Sequence, residues 1–176
     1  MPVTVVVEDG TGLETANAYV DPAGAFAVEY ALAWLYKDEW TAADADTKAQ
    51  AVVMATRTLD AQYEWRGVPL RDGVQSLAWP RVIRGSLIPS DEVPAAVEAA
   101  TLEMALALLQ RNRTSDTNSG SRGLKSIGLG DGALKIEYGS DPTTAPITAI
   151  IPANIRALLR DYGDAAGGSM RRVERR

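Results

Sequence analysis

Histidine and cysteine are both absent from this sequence of 176 residues. Without histidine there is no imidazole to act as general base, proton shuttle or metal ligand near neutral pH. Without cysteine there is no thiol nucleophile, thiolate metal site or disulfide framework. Catalysis would have to run on carboxylates, lysine or tyrosine. A pair of acids isolated in an apolar stretch, the usual sign of general acid–base work, is missing as well. The sequence therefore reads as a non-enzyme with neither cofactor nor metal. No apolar run approaches the roughly 20 residues of a membrane span, and the pattern of a secretory signal is not seen; no membrane partner is expected.

Hydrophobic residues make up 46% and charged residues 23% of the chain, ordinary values for a globular domain. A chain of this length can bury about 70% of its unfolded surface in one core. The net charge of −5 is unevenly spread. Residues 1–60 hold ten acids against three bases, and residues 121–176 hold six acids against nine bases. Such asymmetry suits two ends that face different partners, or simply a solvated basic terminus.

The most apolar stretch runs from Ser90 to Arg113. Val93, Val97, Ala100, Met104 and Leu108 recur at helical spacing, and Leu102, Leu106 and Leu109 form a second line. A helix apolar around its circumference must be covered from several sides, so this is the expected central helix of a small bundle. Ser90 or Asp91 is its expected N-cap, with Pro94 inside the first turn. Upstream, Val3–Val7 reads as a strand or extended arm closed by the turn Asp9-Gly10-Thr11-Gly12. Asp21-Pro22 opens a helix expected to reach Leu35, with Phe26, Tyr30, Ala33 and Trp34 buried. Thr41 and Asp44 resemble a capping box. Beyond them Ala45, Ala49, Val52, Thr56, Leu59 and Tyr63 form one apolar stripe.

From Arg66 to Pro89 periodicity vanishes among Pro69, Gly73, Pro80, Gly85 and Pro89, and a connection this long suggests a role. Residues 114–123 are rich in Ser, Gly and Asn. Leu124–Tyr138 reads as a hairpin turning at Asp131-Gly132, a loop follows at 143–146, and Ile151-Pro152 opens a short C-terminal helix. The expected fold class is mainly α: a small helical bundle with a long structured loop, a β-hairpin and a short C-terminal helix. Residues 1–163 form one domain with a hairpin insertion at about 114–146, and residues 164–176 form a flexible basic tail.

Three motifs invite chemistry. Gly128-Leu-Gly130-Asp-Gly132 lacks the strand-then-helix setting of a phosphate-cradling loop and fits a hairpin turn. Asp44-Ala-Asp46-Thr-Lys48 starts like a calcium loop, but Lys48, Ala49 and Ala55 stand where an oxygen ligand, a glycine and a closing Glu are needed. Trp65-Arg66 and Trp79-Pro80-Arg81, near Arg71 and Arg84, interleave aromatic and cationic groups. These residues either stack the bases of a single strand or anchor the loop onto the bundle or a neighbouring subunit.

Val7-Glu-Asp-Gly-Thr-Gly-Leu13 leading into Ala16-Asn-Ala-Tyr-Val20 resembles the N-terminal signature of tailed-phage head–tail connector proteins, also called adaptor or head-completion proteins. So do Ala55-Thr-Arg-Thr-Leu-Asp60 with Tyr63-Glu-Trp-Arg-Gly67, and Gln75-Ser-Leu-Ala-Trp-Pro-Arg81 with Ile88-Pro89 and Val93-Pro-Ala-Ala-Val97. The resemblance covers most of residues 5–160. It implies a structural virion protein made in the host cytoplasm and placed at the head–tail neck. There it forms a twelve-fold ring under the portal, extends the channel through which duplex DNA passes without specific binding, and offers a surface to a tail or neck protein. Many members of that group carry a DnaT-like single-stranded-DNA-binding label, which is the alternative function. Under the connector reading, Arg156 and Arg160 on the last helix and Arg171, Arg172, Arg175 and Arg176 in the tail are candidate portal-binding residues. Trp65, Arg66, Trp79 and Arg81 are candidates for inter-subunit contact or loop anchoring.

Overall fold

Asp44 and Pro94 set the two longest helices. In the computed structural model, which describes residues 2–111, 124–130, 133–138 and 150–165, the helices are α1 (Ala25–Leu32), α2 (Asp38–Ala42), α3 (Ala45–Gln62), α4 (Ala95–Gln110) and α5 (Ala153–Leu159). The strands are β1 (Tyr63–Trp65), β2 (Val68–Pro69), β3 (Arg81–Val82), β4 (Leu124–Gly130), β5 (Ala133–Tyr138) and β6 (Gly163–Ala165). The chain divides into two compact units, one of residues 1–112 with 151–176 and the other of residues 113–150.

In the first unit Asp44 caps α3: its Oδ1 accepts the Thr47 N–H at 2.7 Å, satisfying one of the donors left open at a helix start. Thr41 is no part of this cap, because it lies in the separate short helix α2. The anticipated α3 stripe is buried at Ala49, Val52, Thr56, Leu59 and Tyr63 but not at Ala45. Ala51, Val53, Ala55 and Thr58 widen it.

Helix α4 starts four residues later than Asp91, with Pro94 as N-cap. A residue before proline is pushed out of the helical region, so Val93 cannot join the helix. The double-sided burial expected of α4 is present: Val97, Ala99–Leu102 and Met104–Ala107 are all buried, under cover from α3, α5, α2 and α1. Leu102 and Met104 are fully buried, each worth about 1.5–3 kcal/mol of transfer free energy. The buried hydroxyls of Thr56 and Thr101 donate back to the carbonyls of Val52 and Val97, which removes their desolvation cost.

Helix α1 departs most from expectation. Asp21 and Pro22 form a turn, in which Asp21 Oδ1 takes the Ala23 N–H and its carbonyl takes the Gly24 N–H. The helix begins after Gly24 and stops at Leu32 rather than Leu35. Its buried side is Ala27 and Ala31, while Phe26 and Ala33 are exposed and Tyr30 and Trp34 only half-buried.

The loop of residues 66–89 contains a short antiparallel pair, β2 with β3, and a cis Trp79–Pro80 bond. β1 pairs antiparallel with β6 through Tyr63↔Ala165 and Trp65↔Gly163. Asp164 and Ala165, which the sequence reading placed in the tail, are therefore part of this strand pair. Gly163 is needed there, because a Cβ would strike the Glu64 carbonyl and the Tyr63 ring. A helical core with small strand pairs is thus a mixed α and β arrangement.

In the second unit β4 and β5 pair antiparallel from Leu124↔Tyr138 to Gly130↔Ala133, with a register shift between Leu124 and Ser126. The anticipated turn at Asp131-Gly132, the loop at 143–146 and the segment 114–123 lie outside the described residues.

Candidate functional site

The segment from Val7 to Val20 is organised by a carboxylate. Glu8 is buried, and it accepts the backbone N–H groups of Gly10 and Gly12 on Oε1 at 3.0 and 2.8 Å and that of Leu13 on Oε2 at 2.9 Å. Converging backbone donors of this kind make an anion-binding concavity; here the chain's own acid fills it. Gly10 sits at φ +95°, and any Cβ on it would overlap the Asp91 carbonyl. The turn is thereby seated on the entry to α4. Asp9 closes its outer edge, accepting both the N–H and the hydroxyl of Thr11, which hold its carboxyl below the usual range.

Beyond this turn lies Tyr19, fully buried, whose hydroxyl donates to Asp60 Oδ1 at 2.6 Å and accepts the Trp79 N–H at 3.2 Å. Asp60 Oδ2 takes the Ala78 N–H at 3.0 Å. One tyrosine and one aspartate therefore fasten the 66–89 loop to α3 and to the N-terminal segment. Burial pushes the Asp60 carboxyl up, opposed by its hydrogen bonds and by the charge of Arg81. Burial and the Asp60 charge together drive Tyr19 well above the ordinary phenol value.

Of the four loop residues singled out by sequence, three meet in this knot. Trp79 is 0% exposed and stands edge-on to Trp65 at 5.8 Å and to Tyr162 at 5.7 Å. The Arg81 guanidinium is buried, and each of its three nitrogens donates to a main-chain carbonyl, Nε to Arg66, NH1 to Ala78 and NH2 to Gly67, at 2.7–2.9 Å. Its pKa is lowered, chiefly by burial. The indole N–H groups of Trp65 and Trp79 are buried without a hydrogen-bond partner; that of Trp65 faces Asp60 closely enough to lower its carboxyl, outside hydrogen-bond geometry. Arg66 is exposed, and its NH1 donates to the Asp161 carbonyl at 3.1 Å. With the Arg66 N–H donating to Tyr162, it ties β1 to the residues after α5.

A second polar centre lies on α4. Glu103 accepts Tyr30 and Trp34 on Oε1, at 3.2 and 2.9 Å, and Asn154 on Oε2 at 3.2 Å. It links α1, α4 and the start of α5. Burial, followed by the Glu103 charge, pushes the Tyr30 hydroxyl up to about 12. Sequence reading missed Glu8, Tyr19, Asp60 and Glu103 as organising residues. The available signal was an acid or phenol set beside a buried apolar run, as in Leu59-Asp60.

Arg156 and Arg160 are exposed, and Arg160 Nε lies 3.6 Å from Asp161 Oδ1, with both side chains largely in solvent. Such a pair contributes little. Arg171, Arg172, Arg175 and Arg176 lie outside the described residues. Among the described residues no group of three or more acids is arranged to hold a metal, and no helix is long and apolar enough to cross a membrane.

The surface feature that remains is apolar. Leu32, Leu35 and Tyr36 are 69, 81 and 77% exposed, and Val28 and Phe26 are exposed beside them. Leu87, Val68, Val74 and Val82 form a second exposed apolar set on the 66–89 loop.

A family model described as "Putative DnaT-like ssDNA binding protein" matches residues 3–176. The chain belongs to this family. No curated protein and no solved structure matches it significantly. The DnaT-like description names the activity that the sequence reading held as its alternative, and it says nothing of a connector, a ring or a portal. In this DnaT-like chain the tryptophan–arginine loop, the stretch best suited to base stacking by composition, turns its Trp79 and Arg81 inward.

Proposed function

We propose that this protein is a non-catalytic assembly subunit, with the head–tail connector as its specific role: copies arranged in a ring, one face toward a portal and the other toward a tail or neck protein. The observation that supports it is the distribution of apolar surface. Trp79 and Arg81 of the aromatic–cationic cluster are spent inside the fold, whereas α1 and the turn after it present Val28, Leu32, Leu35 and Tyr36 to solvent. Val28 and Leu32, four residues apart on α1, share one helix face, and exposed apolar side chains gathered on one face mark a protein-contact site. The finer identification of portal and tail rests on the sequence resemblance. Its test is co-purification: intact portal mixed with the full chain should give a complex of matched stoichiometry in negative-stain images. Persistent separation of the two would contradict the connector role.

Single-stranded DNA binding is the second reading, and the family's description favours it. On the described surface it would use exposed arginines such as Arg66 and Arg156, whose charges both reach the Tyr63 hydroxyl. Against it stands the net charge of −5, a balance that repels a phosphate backbone. Trp79 offers no face for stacking. An oligonucleotide titration at near-physiological salt separates the readings: binding that is weak and lost with modest added salt fits the assembly reading, and submicromolar affinity fits the DnaT-like one.

A further inference from the structure

The two exposed apolar sets carry opposite charge. Around α1, residues 21–40 hold Asp21, Glu29, Asp38 and Glu39, all exposed, against the single Lys37. On the 66–89 loop the exposed Leu87, Val68, Val74 and Val82 stand among the exposed Arg66, Arg71 and Arg84, against the single Asp72. Within one chain neither set covers the other: Leu87 is 101% exposed and Leu35 81%. An exposed apolar set flanked in sequence by acids and another flanked by arginines, both open on the same molecule, are complementary between molecules.

We infer that the 66–89 loop of one copy docks on the α1 face of the next. Leu87 and Val82 meet Leu32, Leu35 and Tyr36, while Arg84 faces Glu29 or Asp38. Because the two patches differ, the contact is heterologous, and repetition of it closes into a ring or runs on as a filament. The loop is suited to the role because its inner side is held by Tyr19, Asp60 and Arg81, so little ordering is needed on docking. This inference rests on the assembly reading and names the surface through which it would act. It also gives the connection of residues 66–89 a use beyond joining β1 to α4.

Complementation of defective faces tests it. One full-length variant carries Leu32→Asp and Leu35→Asp, the other Arg84→Glu and Leu87→Asp; all four sites are exposed, so both variants should melt like the wild type. Sedimentation is followed to about millimolar concentration, where weak self-contacts populate. The wild type should show species heavier than the monomer, and each variant alone should remain monomeric. Their equimolar mixture should form a two-chain species and nothing larger, since each such pair keeps one intact contact and no second. Variants that associate as the wild type does would overturn this docking mode and leave the assembly reading standing. A mixture that stays monomeric would overturn the loop-to-helix pairing in the same way. A wild type that is monomeric throughout would overturn the loop-to-helix docking, while co-purification with the portal decides the assembly reading separately.

Discussion

Asp60 is half-buried, and its hydrogen bonds from Tyr19 and Ala78 only partly offset the cost of desolvating its charge. Its carboxyl titrates above the usual range in the folded chain. The contribution of this group to stability is therefore complete below the unfolded value of about 3.9 and is lost as pH rises through the higher folded value. Urea unfolding from pH 7 down to pH 4 should show the wild type gaining stability relative to Asp60→Asn, which does not titrate; a constant gap between them would contradict the assignment. Arg81 is a different kind of buried charge, held by three main-chain carbonyls, one on each guanidinium nitrogen. Arg81→Ala leaves three of them without a donor and should cost about 3 kcal/mol. Arg81→Lys should recover only part of this loss, since one ammonium cannot span the same fork. Denaturant midpoints measured on the three proteins check the order.

Among the elements, the N-terminal turn has the strictest geometry, because Glu8 gathers its backbone donors and Gly10 lies against the Asp91 carbonyl. Gly10→Ala combines a positive φ with that overlap and should destabilise by at least ~1–3 kcal/mol, read as a lowered Tm; an unchanged Tm would mean that the turn is not seated on α4. The existence of α3 and α4 was legible in the sequence, since apolar spacing over four turns or more is a strong signal. The start of α4 was not read correctly, because acids ahead of Pro94 imitate a first turn while the proline itself holds Val93 outside the helix. Helix α1 was misread for a physical reason. Periodicity assigns the larger apolar side chains to the core, and here alanines pack inward while Phe26, Val28 and Leu32 remain outside. The knot of Tyr19, Asp60 and Arg81 was invisible because its members are 21 to 62 residues apart and no periodic pattern connects them. The strand pair β1 and β6 was missed because three-residue strands leave almost no trace in sequence.

At the scale of the whole molecule, the family match speaks for single-stranded DNA and the distribution of surface speaks for contact between proteins. The central claim is that the tryptophan–arginine loop is held from within and works at its outer face by touching protein. The most direct measurement is sedimentation of the full chain with a fluorescent single-stranded oligonucleotide at near-physiological salt, over a wide range of protein concentration. The account predicts a protein mass that rises with concentration while the oligonucleotide sediments free. Adding Trp79→Ala, which removes a fully buried ring, should lower stability by about 3–5 kcal/mol without revealing any strand affinity to lose. A monomer that carries the oligonucleotide with it at submicromolar protein, and releases it on Trp79→Ala while still folded, would contradict the account.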